Sequence, residues 1–302
     1  MYFLSFALIS VTIFALQLCK VLIICNLYNN NIGTICGDKQ GHIYIRCKYA
    51  VVEYDIKKNT FHTIRDNDIQ AITYDNARLW VCTRDSLFTY NRVEDRLDYY
   101  YNLEGVRMSC VTEDSAGNLY VGTMNNGLYM IDHNKKWLNY FPKKDITCIY
   151  EDSKKSIWVG TKDDGLFRLD RNGGITNYGT APHQNMLSSS YVRCVVEDNL
   201  GNYWIGTFKG LDKLDVTTGT FTHYSKDNKP YSLSNSSIIC MMKDRQGTFW
   251  IGTYYGGVNL FNPDYEIYTY YYPDESQKGK LTSPFAGRMT EDSNGGIWIA
   301  TE

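Results

Sequence analysis

Four adjacent carboxylate pairs, Glu113-Asp114, Glu151-Asp152, Glu197-Asp198 and Glu291-Asp292, are the residues whose type most invites chemistry. Two carboxyl groups on either side of a sugar linkage can serve as general acid and as nucleophile or base in glycoside hydrolysis. Their spacing argues the other way. Each pair stands at the same place in a recurring phrase, whereas an active site needs one constellation that breaks the repeat, so no catalytic residue is expected. The five histidines, His42, His62, His133, His183 and His223, lack metal-ligand spacing, and no C-x-x-C occurs, so neither a zinc site nor a cofactor is expected.

The phrase itself is "IWVGTKDDGLFRLD" at Ile157 to Asp170, echoed by "YWIGTFKGLDKLD" from Tyr203. Its leading aromatic recurs as Tyr44, Trp80, Tyr120, Trp158, Trp204, Trp250 and Trp298, at intervals of 36 to 48 residues. The Gly-Thr pair recurs as Gly122-Thr123, Gly160-Thr161, Gly206-Thr207 and Gly252-Thr253, and in altered form as Cys82-Thr83 and Ala300-Thr301. A fixed period of this length marks a repeat architecture.

Each unit opens with a short apolar run ending at the acidic pair, as in "CIYED" from Cys148. A turn such as "DNLG" (Asp198 to Gly201) follows, where Asp can accept turn amides and Gly can take φ > 0. Then come the tryptophan run, an alternating run such as "GLFRLD", and a fourth run ending in tyrosine. Runs of four or five apolar or β-branched residues between turn formers read as strands, and no helical period intervenes. Four strands in about 40 residues, repeated about seven times, predict an all-β fold: a β-propeller of four-stranded antiparallel blades. The expected units are 32–64, 69–100, 106–140, 146–178, 192–224, 238–270 and 285–302, the last incomplete. Trp80, Trp158, Trp204, Trp250 and Trp298 are expected to fill the space between adjacent blades.

The chain has 302 residues and a formal net charge of -2, which gives no electrostatic reason to expect nucleic acid as a partner. Residues 1–18 carry no charged side chain, so segment 1–27 is expected to be an apolar signal peptide or membrane anchor ahead of a propeller at 28–302. That implies an exported or periplasmic protein, with membrane contact only through this segment or through C-terminal parts beyond the chain. Four of the nine cysteines, Cys110, Cys148, Cys194 and Cys240, stand three residues before the acidic pair or its equivalent in successive units. Equivalent positions in packed sheets lie about 10 Å apart, too far to bridge, so these read as small buried thiols.

The stretch "CVVEDNLGNYWIGTFKGLDKLDVTTGTFTHY" (Cys194 to Tyr224) resembles the two-component regulator propeller repeat. The similarity runs from Ile32 to the C-terminus, and includes Leu-Ser linkers in "MLSSSYV" (Met186 to Val192) and "YSLSNSSI" (Tyr231 to Ile238). The resemblance implies an exported sensor region of a hybrid two-component system, known from gut Bacteroides, that responds to oligosaccharides released from complex glycans. Members of that family usually continue into a second propeller, an immunoglobulin-like domain, a membrane helix, a histidine kinase, a receiver and a DNA-binding domain. No H-box helix or nucleotide-binding glycine box occurs here. The partners implied are therefore an oligosaccharide or other small ligand, and the remainder of a sensor kinase or a second copy of the chain.

The seventh unit stops after "GGIWIATE", two strands short, which leads to the expectation of a fragment or truncated reading frame. In a propeller the loop between strands two and three and the linker between blades open on one face, which makes that face the place to look for a ligand. Its candidate residues are Arg84, Asp85, Asn125, Asn126, Lys162, Asp163, Asp164, Phe208, Lys209, Tyr254 and Tyr255 from the first set, with His183 and Tyr191 from the linkers. Polar groups beside aromatic rings suit sugars, whose hydroxyls need partners and whose apolar faces lie on rings. The competing readings are a propeller enzyme acting on glycans, a lyase or hydrolase, and a protein-interaction scaffold.

Overall fold

The computed structural model describes residues 32–38, 40–47, 50–66, 68–179, 185–227, 232–263, 267–271, 281 and 283–301. The expected signal or anchor segment, residues 1–27, lies outside them. Each repeat folds into its own antiparallel meander. In the fourth blade the strands are Ile146–Glu151, Ile157–Thr161, Leu166–Leu169 and Ile175–Tyr178, paired in chain order. Among the described residues six sheets have four strands, and the seventh has two, Ala286–Glu291 and Ile297–Thr301. The all-β propeller read from the repeat is thus the observed architecture, with an incomplete seventh sheet.

The core lies between blades. Trp80, Trp158, Trp204 and Trp298 are each at most 1% exposed. Trp158 packs with Tyr203, Ile205 and Leu214 of the following blade, its ring 4.1 Å from that of Tyr203. Ring burial of this kind removes ~150–250 Å² from water, on the order of 4–6 kcal/mol at ~25 cal/mol/Å² as an upper bound. The seventh sheet closes on the first in the same way. Trp298 and Ala300 join the cluster of Ile43, Ile45 and Tyr54, with the Trp298 and Tyr54 rings 5.3 Å apart.

Trp250 also packs between blades, in the cluster that holds Ile297 and Ile299 of the seventh sheet, but it is only partly buried. Trp80, Trp158, Trp204 and Trp298 each face a sheet of four strands, whereas the sheet after Trp250 supplies two strands among the described residues. Its ring stacks on Tyr271 of its own blade, at 6.3 Å and 2°, as Trp158 does on Tyr178 and Trp204 on Tyr224.

The Gly-Thr pair solves two separate problems. A Cβ at Gly206 would stand 2.4 Å from the Cys194 sulfur and 2.6 Å from Cγ2 of Ile238 in the next blade; Gly122, Gly160 and Gly252 are equally confined. Glycine is there because strand one of the next blade approaches too closely for a side chain. The threonine is fully buried and donates its hydroxyl across the loop, Thr161 to the Gly165 carbonyl at 2.8 Å and Thr207 to that of Gly210 at 2.9 Å.

Candidate functional site

The acidic pairs are consumed by architecture. Asp152 Oδ1 accepts the backbone N–H groups of Lys154 and Ser156 at 2.9 and 2.8 Å. Its Oδ2 accepts the Trp158 indole at 2.8 Å and the hydroxyl of Tyr203, on the next blade, at 2.7 Å. Asp198, Asp244 and Asp292 likewise take Trp204, Trp250 and Trp298 at 3.0, 2.8 and 2.9 Å. The glutamates reach back to the preceding blade. Glu197 accepts the backbone N–H and the hydroxyl of Ser153 at 2.7 and 2.6 Å, and Glu151 does the same for Ser115 at 2.9 and 2.7 Å. Glu113 takes the Trp80 indole at 2.8 Å, because the short Asp75 turn of the second blade leaves that indole without an aspartate of its own. Each pair thus folds one turn and staples two blades.

A Ser188–Asp212–His223 cluster went unnoticed in the sequence. Ser188 donates its N–H and hydroxyl to Asp212 Oδ2 at 2.8 and 3.0 Å, while His223 Nδ1 lies 2.8 Å from Oδ1. Serine and histidine bond opposite oxygens of one carboxylate, which is not the serine–histidine–acid order of a nucleophilic relay. In the sixth blade Asn259 holds Ser234 through its amide, Oδ1 accepting the Ser234 N–H at 2.9 Å and Nδ2 donating to the Ser234 hydroxyl at 2.8 Å. The cluster anchors the Leu-Ser linkers, whose Leu187 and Leu233 are buried in the interblade core.

The thiols are equally quiet. Cys110, Cys148, Cys194 and Cys240 are free and buried. Burial pushes the Cys194 and Cys240 thiols up to about 12, so both stay protonated at neutral pH and neither is a nucleophile.

What remains is the face formed by the loops between strands two and three and by the linkers. Hydrogen bonds join the two sets: Phe208 N–H to the Tyr191 carbonyl at 3.0 Å, Tyr254 to Ser237 at 2.9 Å, Lys162 to Asp145 at 3.1 Å, and Gly165 to Ser190 at 3.0 Å. Two groups of rings emerge on it. Tyr191 and Phe208 stack at 6.2 Å and 15°, and the Arg193 guanidinium sits over both, 4.5 and 5.2 Å from their centres. Tyr254 meets Tyr255 at 4.4 Å, and Phe285 at 5.9 Å closes the second group. Phe208, Tyr254 and Tyr255 are 51%, 45% and 56% exposed. Phe285 was missed, although it holds in the seventh unit the place that Tyr191 holds in the fifth, three residues ahead of the cysteine position.

The remaining candidates are spread around the ring rather than gathered. Arg84, Asn126, Lys162, Asp163 and Lys209 are exposed. Asp164 pairs with Lys144 at 2.6 Å, Asp85 accepts the Ser86 hydroxyl at 3.0 Å, and the Asn125 N–H donates to Asp145 at 2.5 Å. His183 lies outside the described residues. Asn125 and Tyr255 occupy equivalent loop positions and share a left-handed backbone, φ 64 and 56. Asparagine tolerates that region; a tyrosine there is strained and held by its surroundings.

Three segments, residues 140–163, 186–209 and 232–255, match the family model described as two component regulator propeller, and the chain carries repeats of that kind. No curated protein matches the sequence. Among solved structures, the extracellular domain of a hybrid two component system from B. thetaiotaomicron is similar, with TM-score 0.74 and 21% identity over 90% of this chain. This chain spans 39% of the length of that domain. Virginiamycin B lyase from Staphylococcus aureus is also similar, with TM-score 0.70 and 13% identity over 90% of this chain and 92% of the lyase. The WD40 propeller of Doa1 follows at TM-score 0.69 and 10% identity, over 90% of both chains. At these identities the likeness is one of fold.

Proposed function

We propose that this chain, as a carrier of two-component regulator propeller repeats, is the exported ligand-sensing propeller of a hybrid two-component signalling protein, and that its ligand is an oligosaccharide. The observation that carries the reading is the pair of exposed ring groups, Tyr191 with Phe208 and Tyr254 with Tyr255 and Phe285, on one loop face. Exposed rings cost burial that a folded chain would otherwise gain, and rings in fixed orientation beside polar loops offer stacking surfaces for the apolar faces of sugars. The left-handed Tyr255 backbone is consistent with this, since strained residues cluster at ligand clamps when their surroundings hold them. The carboxylate pairs, bonded to turn amides, indoles and neighbouring serines, have no spare role as acid and base. Such a sensor binds and reports without altering its ligand, and a kinase beyond this chain would read the bound state.

The test is incubation of the full chain with a panel of neutral and acidic oligosaccharides, followed by binding and product analysis. Saturable binding with every glycan recovered intact supports the sensor. Shortened or eliminated products would replace it with the lyase or hydrolase reading, and localisation of the tagged chain to the cytoplasm would replace it with a scaffold.

A further inference from the structure

The middle of strand one in every blade faces the propeller axis, and the residue at the cysteine position forms a ring of seven. Six of its members are small: Thr34, Ala71, Cys110, Cys148, Cys194 and Cys240. The seventh is Arg288. Around this ring the seven inner strands enclose a cavity of about 170 Å³. Arg288 stands where the other blades carry a small side chain, and it is the largest residue of that ring. It lines this cavity together with thiols from four other blades, Cys110, Cys148, Cys194 and Cys240.

Two further arginines come from the fifth and first blades. Arg193 lines the same cavity, with Nη1 donating to the Ser237 hydroxyl and the Ile238 carbonyl, both at 3.0 Å. Arg46 replaces the Gly of the Gly-Thr pair in the first blade; it donates to the Ile69 carbonyl at 3.1 Å, and its buried Nε has no partner. None of the three is paired with a carboxylate among the described residues, and no acidic residue lines the cavity. The lining offers hydroxyls instead, from Thr34, Thr73 and Ser109 among others. Arg288 is exposed and Arg46 and Arg193 are half-buried, and like charges held together without a carboxylate repel one another and favour a counter-charge.

We propose that the axial cavity is a binding site for a small oxyanion, a sulfate or a carboxylate, held by Arg288 and Arg193 with hydroxyls from the inner strands. Guanidinium groups present paired N–H donors that match the oxygens of such an anion. The volume admits an oxyanion and a few waters of about 30 Å³ each, and not a sugar chain. Arg193 also lies under the Tyr191 and Phe208 rings, so an anion in the cavity is one side chain away from the loop face. The acidic substituent of a sugar could enter by that route, as could a free ion. The site does not depend on the sensor reading, because inorganic sulfate is a sufficient ligand.

The experiment is calorimetric titration and thermal unfolding of the full chain in sodium sulfate, against sodium chloride at matched ionic strength. The expected result is one saturable site per chain and a rise in Tm with sulfate above that with chloride. Arg288→Gln should weaken sulfate binding at least about tenfold, the loss of one charge-assisted contact, while Arg288→Lys keeps most of it. If Arg288→Gln does not fold, Arg193→Gln should show the same loss. Glucuronate that competes with sulfate assigns the site to acidic sugars; sulfate binding that glucuronate leaves unchanged assigns it to free oxyanions. Equal effects of sulfate and chloride on wild type, or sulfate affinity unchanged in both glutamine variants, would overturn the proposal. A failed oligosaccharide panel would leave these outcomes as they stand.

Discussion

Asp152 Oδ2 receives the Trp158 indole at 2.8 Å and the Tyr203 hydroxyl at 2.7 Å, so one oxygen joins a turn, its own blade's interblade ring and the next blade. The other oxygen closes the turn on two backbone amides. Asp152→Ala strands four buried or half-buried donors at once. We expect a loss of about 3–5 kcal/mol, the range for removing one partner of a buried charged network, read as a lower urea midpoint with an unchanged slope. Asp152→Asn, which keeps an accepting oxygen, should cost less than half as much.

The glycine of the repeat makes a second prediction. Gly206→Ala should cost about 1–3 kcal/mol, as overpacking does, because the new methyl meets both the Cys194 sulfur and Ile238. Adding Cys194→Ala should recover part of that loss and not all of it, since Ile238 remains in place. Unfolding midpoints of the two single variants and the double variant check the coupling.

These two cases show how far the sequence could be read. The blades were legible because a tryptophan, a glycine and an acidic pair return at each period, and each answers a packing problem that recurs. The rejection of the acidic pairs as catalysts followed from the same periodicity, yet their division of labour did not. Nothing in "CVVED" says that Asp198 serves its own turn while Glu197 reaches Ser153 of the preceding blade. Phe285 was hidden because its partners, Tyr254 and Tyr255, lie about 30 residues upstream in a different unit, and only the register of strand one brings them together. Trp250 looked like its four counterparts, and its exposure depends on how many strands the next sheet supplies.

Asp212 makes the third prediction. Burial holds its carboxyl above the ordinary value, outweighing the bonds from His223 and Ser188. An acid whose folded pKa is raised binds its proton more tightly in the folded chain. Its contribution to stability is therefore full below the unfolded pKa and declines as pH rises through the window up to the folded value. Asn259 does the same task without charge. Asp212→Asn should remove that decline, raising Tm at pH 7 by roughly 1–3 °C and leaving the low-pH value near wild type, as thermal scans from pH 3 to 7 would reveal.

Tyr255 makes the fourth. Its left-handed backbone matches Asn125, the residue type that suits that conformation. Tyr255→Asn should stabilise the chain, by up to about 1 kcal/mol of relieved strain, and weaken oligosaccharide binding at least several-fold. A variant that is both more stable and equally good at binding would remove Tyr255 from the loop-face site.

On the loop-face reading, a ligand touches the exposed rings and leaves the acidic turns alone. Hydrogen exchange of the full chain, with and without a bound oligosaccharide, reads this directly. Slowed exchange is expected at residues 191–193, 208–209, 254–255 and 285, with the acidic turns at 152–156 and 198–202 unchanged. Protection concentrated at those turns, with the loop face unaltered, would contradict it.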